Sequence, residues 1–365
     1  MPTSDSQHLY AVIMAGGGGT RLWPASRRRR AKQFLALGTA GGRSLLGATV
    51  HRMRSVCDLD RTLVVAAASQ VPDVQAALPE LPAANLLAEP CGRNTAPCIG
   101  FAAEALFARD PAAVLAVLPA DHHIANEAAF ADVVTQVLAL AGAEDRIVTL
   151  GVRPTRPETG YGYIRTSAAP THGIAYDVEA FVEKPDGVTA RRYLESGRYL
   201  WNSGMFFFTA ARIRAELRRH LPDMTAAFDA IGAACAGGGD ATPVVARVYP
   251  GLRAISIDYG VMEKADGILV APAEFGWNDV GSWTALSAIS EHDADGNVTV
   301  GETLLRRAHD NVVVTESGQL VSVVGADGLV VVVTRDAILV CPKDHAQEVR
   351  DVVAELERRG LDRYL

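Results

Sequence analysis

The first segment of this chain that could do chemistry is a glycine-rich loop behind a short apolar run. Residues 12–14 read as a buried strand, residues 16–19 are all glycine, and Thr20 and Arg21 follow. Because glycine has no Cβ, its backbone N–H can approach a ligand closely, and several such groups in a row form a concave anion site. The forked, permanent charge of an arginine suits phosphate. We therefore predict a polyphosphate site at the end of the first strand.

Two familiar phosphate loops do not fit this segment. A Walker A loop needs Lys-Ser or Lys-Thr after its glycines, and neither follows here. A dinucleotide fingerprint matches at Gly16 and Gly18, but Arg21 stands at its third glycine position, so a dehydrogenase is set aside. A glycine-rich turn without a ligand stays open from the loop alone.

Carboxylates follow two further predicted strands. Asp121 comes after the apolar run 114–118 and is either a turn residue or a hard oxygen ligand for Mg²⁺. Glu183 and Lys184 precede Pro185 and are either a surface ion pair or two ligand-binding groups. Since neighbouring residues of a strand face opposite ways, both side chains reach one ligand only if the strand ends or bends there, as Pro185 favours.

Strand-like runs alternate with helical patterns through the first half of the chain. This alternation predicts an α/β fold with a Rossmann-like, mixed and mostly parallel sheet flanked by helices. Ligands in such sheets bind beyond the carboxyl ends of the strands, which places the loop 16–21, the segment 89–94 and Asp121 around one crevice. The predicted strands are 12–14, 62–66, 85–88, 114–118 and 147–150, and the predicted helices are 44–56, 95–108 and 128–140.

The sequence pattern changes between residues 161 and 208. Residues 161–165 and 178–182 alternate as antiparallel strands do, and the apolar run 206–208 follows the turn-forming residues Asn202 and Gly204. We interpret this region as an insertion on the same sheet.

Short valine-rich strands separated by Gly or Asp begin after about residue 296. They predict a small β unit of the short left-handed β-helix type, followed by a terminal helix. Asp344 and Gln347 form a capping-box pattern for that helix, and Gly360 would stop it. We expect domains at residues 1–295 and 296–365, the second being a packing domain or a platform for dimerisation or regulation. Its predicted strands are 311–315, 319–324, 329–334 and 337–341.

Composition excludes several classes of protein. The net charge of −7 argues against a broad nucleic-acid surface, and the four arginines at residues 27–30 are either a solvated face or help to attract a polyphosphate. Residues 1–8 lack the basic and apolar pattern of a secretory leader, and no apolar stretch reaches about 18 residues, so we expect neither a leader nor a membrane span. Five scattered cysteines indicate a reduced, cytoplasmic protein, and His122 and His123 lack a third ligand at zinc spacing. We expect no nucleic-acid or membrane partner.

Three runs of sequence carry a resemblance to a known family. Residues 16–24, followed by Lys32, resemble the opening of the sugar-nucleotide pyrophosphorylases, although Ala31 stands where that family usually has proline. Residues 89–97 (E-P-C-G-R-N-T-A-P) resemble the mannose-1-phosphate guanylyltransferases within it rather than the uridylyl or thymidylyl relatives. Residues 275–283 (F-G-W-N-D-V-G-S-W) are the third match, and all three lie in the family's order.

The resemblance implies a role for each of these residues. Five of them have local alternatives: Thr95 and Asp279 as helix N-caps, Asn202 as a turn residue, and Gly160 with Gly162 as strand breaks. The implied catalytic residues are Arg21, Lys32, Asp121 and Asp279, the two aspartates holding Mg²⁺ with Mn²⁺ as the alternative ion. The implied nucleotide-binding residues are Ala15, Gly16, Gly17, Gly18, Gly19, Thr20, Glu89, Asn94 and Thr95, and the implied sugar-phosphate-binding residues are Gly160, Gly162, Glu183, Lys184 and Asn202.

The implied reaction converts mannose 1-phosphate and GTP to GDP-mannose and pyrophosphate, in a homodimer. A phosphate oxygen that is already anionic attacks the α-phosphorus in line, so no general base is needed. Two alternatives remain: the same chemistry with another nucleotide and hexose 1-phosphate, and a catalytically silent sugar-nucleotide-binding subunit that regulates a partner.

Overall fold

The computed structural model of the chain describes residues 7–17, 19–28, 30–316 and 318–365. Its contacts define two compact units. The first takes its described residues from Met1–Gly16, Thr49–Ala120 and Asn126–Trp277, and the second from Gly17–Ala48, Asp121–Ala125 and Asn278–Leu365. The predicted domains divide the chain at a single point, whereas each of these units collects three separate segments; the boundary at residue 295 stays a prediction.

The apolar runs of the sequence form most of the strands. The strands are β1 (Leu9–Met14), β2 (Thr62–Ala67), β3 (Leu86–Glu89), β4 (Val114–Pro119), β5 (His123–Ile124), β6 (Val148–Val152), β7 (Tyr163–Thr166), β8 (Tyr176–Val182), β9 (Tyr199–Thr209), β10 (Leu269–Pro272), β11 (Trp277–Asn278), β12 (Val298–Val300), β13 (Thr303–Arg306), β14 (Val312–Thr315), β15 (Val321–Val324), β16 (Leu329–Val333) and β17 (Ile338–Pro342).

All three helices predicted in the first half of the chain are present, as α1, α3 and α4. The helices are α1 (Leu45–Met53), α2 (Val71–Ala77), α3 (Thr95–Arg109), α4 (Glu127–Glu144), α5 (Gly187–Ser196), α6 (Ala210–His220), α7 (Thr225–Ala236), α8 (Thr242–Val248), α9 (Trp283–Ile289) and α10 (Val349–Arg358). No helix among the described residues is long and apolar enough to cross a membrane.

The first unit is built on a nine-stranded mixed sheet of order β3-β2-β1-β4-β9-β6-β10-β8-β7. Strands β3, β2, β1 and β4 run parallel, and Ala11, Val12 and Ile13 of β1 are fully buried, as expected for strands covered on both faces. Helix α3 packs against α6 and α7. The predicted α/β fold is confirmed, and β7 and β8 pair antiparallel as predicted.

The turn interpretation of Asn202 and Gly204 is wrong. Both residues lie inside the long strand β9, which pairs antiparallel with β4 and with β6. Phe206, Phe207 and Phe208 are at most 1% exposed. Pairing of β9 with strands on both sides and burial of the three rings on the faces of the sheet outweigh the local turn preference, since strand propensity depends strongly on tertiary context.

The second unit contains the predicted stack of short strands. β12, β14 and β16 pair parallel, β13 and β15 form a second parallel pair, and β17 adds antiparallel to β16. Val312, Val314, Val330 and Val332 are almost wholly buried in the unit's core. Successive turns of chain therefore stack their valines on one another, which is the arrangement of a small β-helix.

The predicted capping box at Asp344 is wrong. Lys343–Glu348 forms a short 3₁₀ helix before α10, and the N-cap of α10 is Glu348, which makes no side-chain capping bond. The predicted end of the helix is confirmed, because Gly360 has a φ of +65° and the Leu361 N–H donates to the Leu356 carbonyl at 2.9 Å.

Candidate functional site

The second unit contains the distal part of the glycine loop. Gly17 and Thr20 are exposed, and Gly18 lies outside the described residues. Gly19 has a φ of +59°, and a Cβ built there would overlap the Cβ of Lys32. Glycine is therefore required at position 19 both by backbone conformation and by its contact with Lys32.

Lys32 joins three distant segments of the second unit. It lies in the 3₁₀ helix Lys32–Phe34 and is only 6% exposed. Its Nζ is 2.7 Å from Oδ2 of Asp121 and also donates to the backbone carbonyl of Asp279. One buried ammonium group thus brings together three of the predicted catalytic residues, Lys32, Asp121 and Asp279, which we call the Lys32 cluster.

The charge of Asp121 is set by its neighbours. Burial by itself would raise the pKa of Asp121, but the charges of Lys32 and His122 outweigh it and hold that pKa below its ordinary value. Asp121 is therefore a carboxylate at neutral pH, and it contacts Lys32 through Oδ2.

Asp279 is not the cap of the following helix. The N-cap of α9 is Ser282, whose side chain accepts from Ala285, while Oδ1 of Asp279 accepts from the N–H of Gly281 at 3.1 Å. The next residue, Val280, is buried with a φ of +48°. A tight turn therefore fixes the carboxylate of Asp279.

Arg21 is exposed in the 3₁₀ helix Thr20–Leu22. Its Nη1 donates to Oε1 of Gln347 at 3.4 Å. The nearby arginine run is less available to a ligand, because its described members form ion pairs within the second unit; Arg29 lies outside the described residues. The pairs are Arg27 with Asp336, Arg28 with Glu357 and Arg30 with Glu316.

In the first unit, Glu89 ends β3 beside the start of the glycine loop. Its side chain accepts a hydrogen bond from the hydroxyl of Tyr249, and a Cβ on Gly16 would lie 3.3 Å from its Oε2. Glu89 is 4% exposed, and this burial raises its pKa although the Tyr249 bond opposes the shift. Ala15, just before Gly16, is held by its N–H, which donates to Val65 at 2.8 Å.

Asn94 and Thr95 begin α3, and the N-cap is Asn94 rather than Thr95. Asn94 is the N-cap, with a φ of 68° and a side chain that accepts from the Thr95 N–H. Thr95 is the first helical residue, so its N-cap interpretation is wrong. Its Oγ1 instead accepts from the N–H of Ile257 at 2.8 Å.

Glu183 and Lys184 meet the condition that the strand must end. β8 stops at Val182, Lys184 has a φ of +48°, and its Nζ donates to Oε1 of Glu183. Burial would lower the pKa of Lys184, but Glu183 and Asp258 outweigh it and raise that pKa above its ordinary value. The lysine is therefore cationic.

Asn202 and Gly162 complete this group. Nδ2 of Asn202 donates to Oδ1 of Asp258 at 2.8 Å, and its Oδ1 accepts from the Gly204 N–H at 3.0 Å. A Cβ on Gly162 would overlap Oε2 of Glu183 and lie 3.2 Å from Cβ of Asn202. We call Gly162, Glu183, Lys184, Asn202 and Asp258 the Asp258 cluster.

Gly160 does not join that cluster by any described contact. Its N–H donates to Oε1 of Glu158 at 2.9 Å. Both Gly160 and Gly162 precede β7, which begins at Tyr163, so neither breaks a strand.

Sequence reasoning missed Asp258. It lies in the short π-helical turn Asp258–Met262, and burial, with the charge of Glu183, raises its pKa to about 6. The signal was a lone acid in the otherwise uncharged run 255–262, since a carboxylate in apolar surroundings needs a specific partner.

A glycine loop on an α/β sheet, followed by a buried lysine paired with a carboxylate, is typical of proteins that bind phosphorylated ligands. The chain belongs to the nucleotidyl transferase family, whose model matches residues 10–296. A second model, described as the MannoseP isomerase/GMP-like beta-helix domain, matches residues 308–356. The protein is therefore a nucleotidyltransferase whose α/β domain is followed along the chain by a β-helix domain.

Similar proteins cover almost the whole chain. The alginate biosynthesis protein AlgA of Pseudomonas aeruginosa is 40% identical and matches 96% of this chain and 73% of its own length. The mannose-1-phosphate guanylyltransferase ManC of Salmonella typhimurium is 41% identical, with 96% and 74% covered. The crystal structure of a mannose-1-phosphate geranyltransferase, as it is described, from Thermus thermophilus has a TM-score of 0.85 at 40% identity and covers 96% of this chain and 99% of that one.

Proposed function

We propose that this protein transfers GMP from GTP to α-D-mannose 1-phosphate, giving GDP-mannose and pyrophosphate. The observation that carries the proposal is the contact of buried Lys32 with Asp121 and with the Asp279 carbonyl. It is supported by the relative named mannose-1-phosphate guanylyltransferase at 41% identity.

The reaction joins a phosphate oxygen of the sugar to the α-phosphorus of GTP and breaks the bond to the β-phosphate. The attacking oxygen is already anionic, so the protein contributes position and charge rather than a general base. Arg21 and Lys32 offset the charge of the departing pyrophosphate, while Lys184 holds the sugar phosphate and Glu183 and Asn202 the sugar hydroxyls. One phosphoanhydride replaces another, so we expect a freely reversible step.

Mg²⁺ belongs to the proposal, with Mn²⁺ as the alternative. The donor chemistry fits, because Asp121 and Asp279 offer the hard carboxylate oxygens that Mg²⁺ prefers, and such sites combine one or two carboxylates with water and substrate phosphates. Among the described residues no group of three or more metal-ligating side chains occurs, so water and substrate phosphates would have to supply the remaining ligands. When bound, the ion would draw negative charge from the phosphate oxygens.

The nucleotide side of the proposal uses Glu89, Asn94, Thr95 and the glycine loop. The structure holds Glu89 and Thr95 by the bonds from Tyr249 and Ile257. Hydrogen-bonded recognition of a base can discriminate by about 10⁴ or more, so we expect strong preference for GTP.

The test is pyrophosphate release with Mg²⁺, mannose 1-phosphate and each of GTP, ATP, UTP, CTP and dTTP. Release with GTP alone, abolished by EDTA, supports the proposal. Release with another nucleotide supports nucleotidyl transfer but contradicts the preference for guanine. Binding of GTP or GDP-mannose without any release favours the regulatory subunit.

A homodimer and a cytoplasmic location remain part of the proposal. Light scattering coupled to size exclusion should give about twice the chain mass of 38.7 kDa. A mass equal to one chain at micromolar concentration would contradict the dimer.

A further inference from the structure

Gln347 has a partner that its sequence pattern did not suggest. The capping-box pattern assigned it to the start of the last helix, but it lies in the 3₁₀ helix Lys343–Glu348. Its Oε1 accepts a hydrogen bond from Nη1 of Arg21 at 3.4 Å, across 326 positions of sequence. Both residues belong to the second unit.

The contact with Gln347 is important because the direction of the Arg21 guanidinium decides which ligand it can reach. A guanidinium group carries five N–H donors in one rigid plane, so a partner that holds one donor also sets the direction of the others. Gln347 is a neutral acceptor, and it can therefore orient Arg21 without cancelling its charge.

The backbone around Arg21 is held by the same part of the chain. Nε1 of Trp23 donates to the carbonyl of Tyr364 at 2.8 Å. Leu22 and Trp23 are buried in one core with Val349 and Leu365. The short helix that carries Arg21 is thus packed on the elements that follow the β-helix.

We propose that Gln347 is a positioning residue that aims the guanidinium of Arg21 at the pyrophosphate portion of the nucleotide. The C-terminal segment then takes part in nucleotide binding, beyond the packing, dimer or regulatory roles expected of it. The inference rests on the proposed function for the role of Arg21, but it requires only phosphate chemistry and no particular base or sugar.

The first experiment measures the affinity for inorganic pyrophosphate with Mg²⁺ by calorimetry. Gln347→Ala should weaken binding about three- to fivefold, because the Arg21 side chain must then be ordered when the anion binds. Gln347→Glu should weaken it further, because a new negative charge next to Arg21 opposes the anion. Asp344→Ala, in the same short helix with its side chain 80% exposed, is the matched control and should bind normally. Unchanged affinity in Gln347→Ala, or normal affinity in Gln347→Glu, would overturn the inference.

The second experiment is a double-mutant cycle with Arg21→Ala. If Gln347 acts through Arg21, Gln347→Ala should have no further effect once Arg21 is absent. An equal loss in both backgrounds indicates general damage and contradicts the positioning role. In turnover assays, the KM for GTP should rise in Gln347→Ala while the KM for mannose 1-phosphate stays constant.

The two proposals can fail separately. If the wild-type protein shows no guanylyl transfer but its pyrophosphate affinity depends on Gln347 through Arg21, the proposed function falls and the positioning role stands. If the wild-type protein transfers GMP and Gln347→Ala leaves both pyrophosphate affinity and the KM for GTP unchanged, the proposed function stands and the positioning role of Gln347 is contradicted. A wild-type protein that does not bind pyrophosphate contradicts the inference directly.

Discussion

Asp121 and Asp279 contact Lys32 in different ways, so we expect substitutions at the two positions to have different effects. Asp121 uses its carboxylate, whereas Asp279 uses its backbone carbonyl. A change of the Asp279 side chain therefore leaves the described contact with Lys32 in place, and the Asp121 side chain cannot be changed so selectively.

We expect Asp279→Asn to lower kcat about 10²-fold, the usual cost of losing one preorganised charge-stabilising group. Its thermal stability should stay close to that of wild type. Asp121→Asn should lose both kcat and stability, because it leaves the buried Lys32 ammonium without its carboxylate. Steady-state kinetics and thermal unfolding of both variants provide the test; turnover near wild type in both would rule out their assignment as metal ligands.

Asp258 links stability to pH. Its pKa is raised from 3.8 to about 6, so the folded protein binds this proton more tightly than the unfolded chain. The contribution to stability is complete below about pH 4 and is lost as the pH rises through about 6. Asp258→Asn removes this titration and should raise the free energy of unfolding at pH 8 more than at pH 5, as measured with urea. An equal change at both pH values would contradict this assignment.

Within the β-helix, two buried asparagines tie adjacent turns together. Oδ1 of Asn297 accepts from the N–H of Asn311 at 3.0 Å, and Oδ1 of Asn311 accepts from the N–H of Leu329 at 2.9 Å. Nδ2 of Asn311 also donates to the carbonyl of Ala326 at 3.0 Å. The stack therefore depends on side-chain amides as well as on valine packing.

Asn311→Leu should lower the free energy of unfolding by about 3 kcal/mol, because it leaves buried backbone donors and acceptors without partners. Ser322→Ala, at an exposed position of β15, is the control and should change stability by less than about 0.5 kcal/mol. Urea titration of both variants is the measurement. A stable Asn311→Leu protein would show that valine packing alone holds the stack.

Local sequence pattern correctly predicted the helices and strands whose conformation depends mainly on residues within or next to the segment. The predicted helix 95–108 is α3, Thr95–Arg109, because its apolar residues lie within the segment and its caps, Asn94 and Asp110, directly adjoin it. Pattern failed for β9 and for the start of α10, where pairing with distant strands or packing decides the conformation. Site residues differ in the same way. Lys184 could be predicted because it lies in the run Glu183-Lys184-Pro185, whereas Asp258 is identified only by its hydrogen bond with Asn202, 56 positions away.

For the chain as a whole, the proposed substrates should act as stabilising ligands. A ligand that binds only the folded state at about 100 times its Kd adds about 2.7 kcal/mol to the free energy of unfolding. GTP with Mg²⁺ should therefore raise the melting temperature, and UTP at the same concentration should raise it less. Equal shifts with both nucleotides would contradict the preference for guanine.

The span of the Lys32 contact also has a consequence for protein synthesis. Asp279 follows Lys32 by 247 positions, so at 5–20 residues per second a ribosome delivers it roughly 10 to 50 seconds later. All five residues of the Asp258 cluster emerge before Asp279 does. A nascent chain that ends before Asp279 therefore lacks one member of the Lys32 cluster, and we expect it to carry out the proposed transfer only slowly.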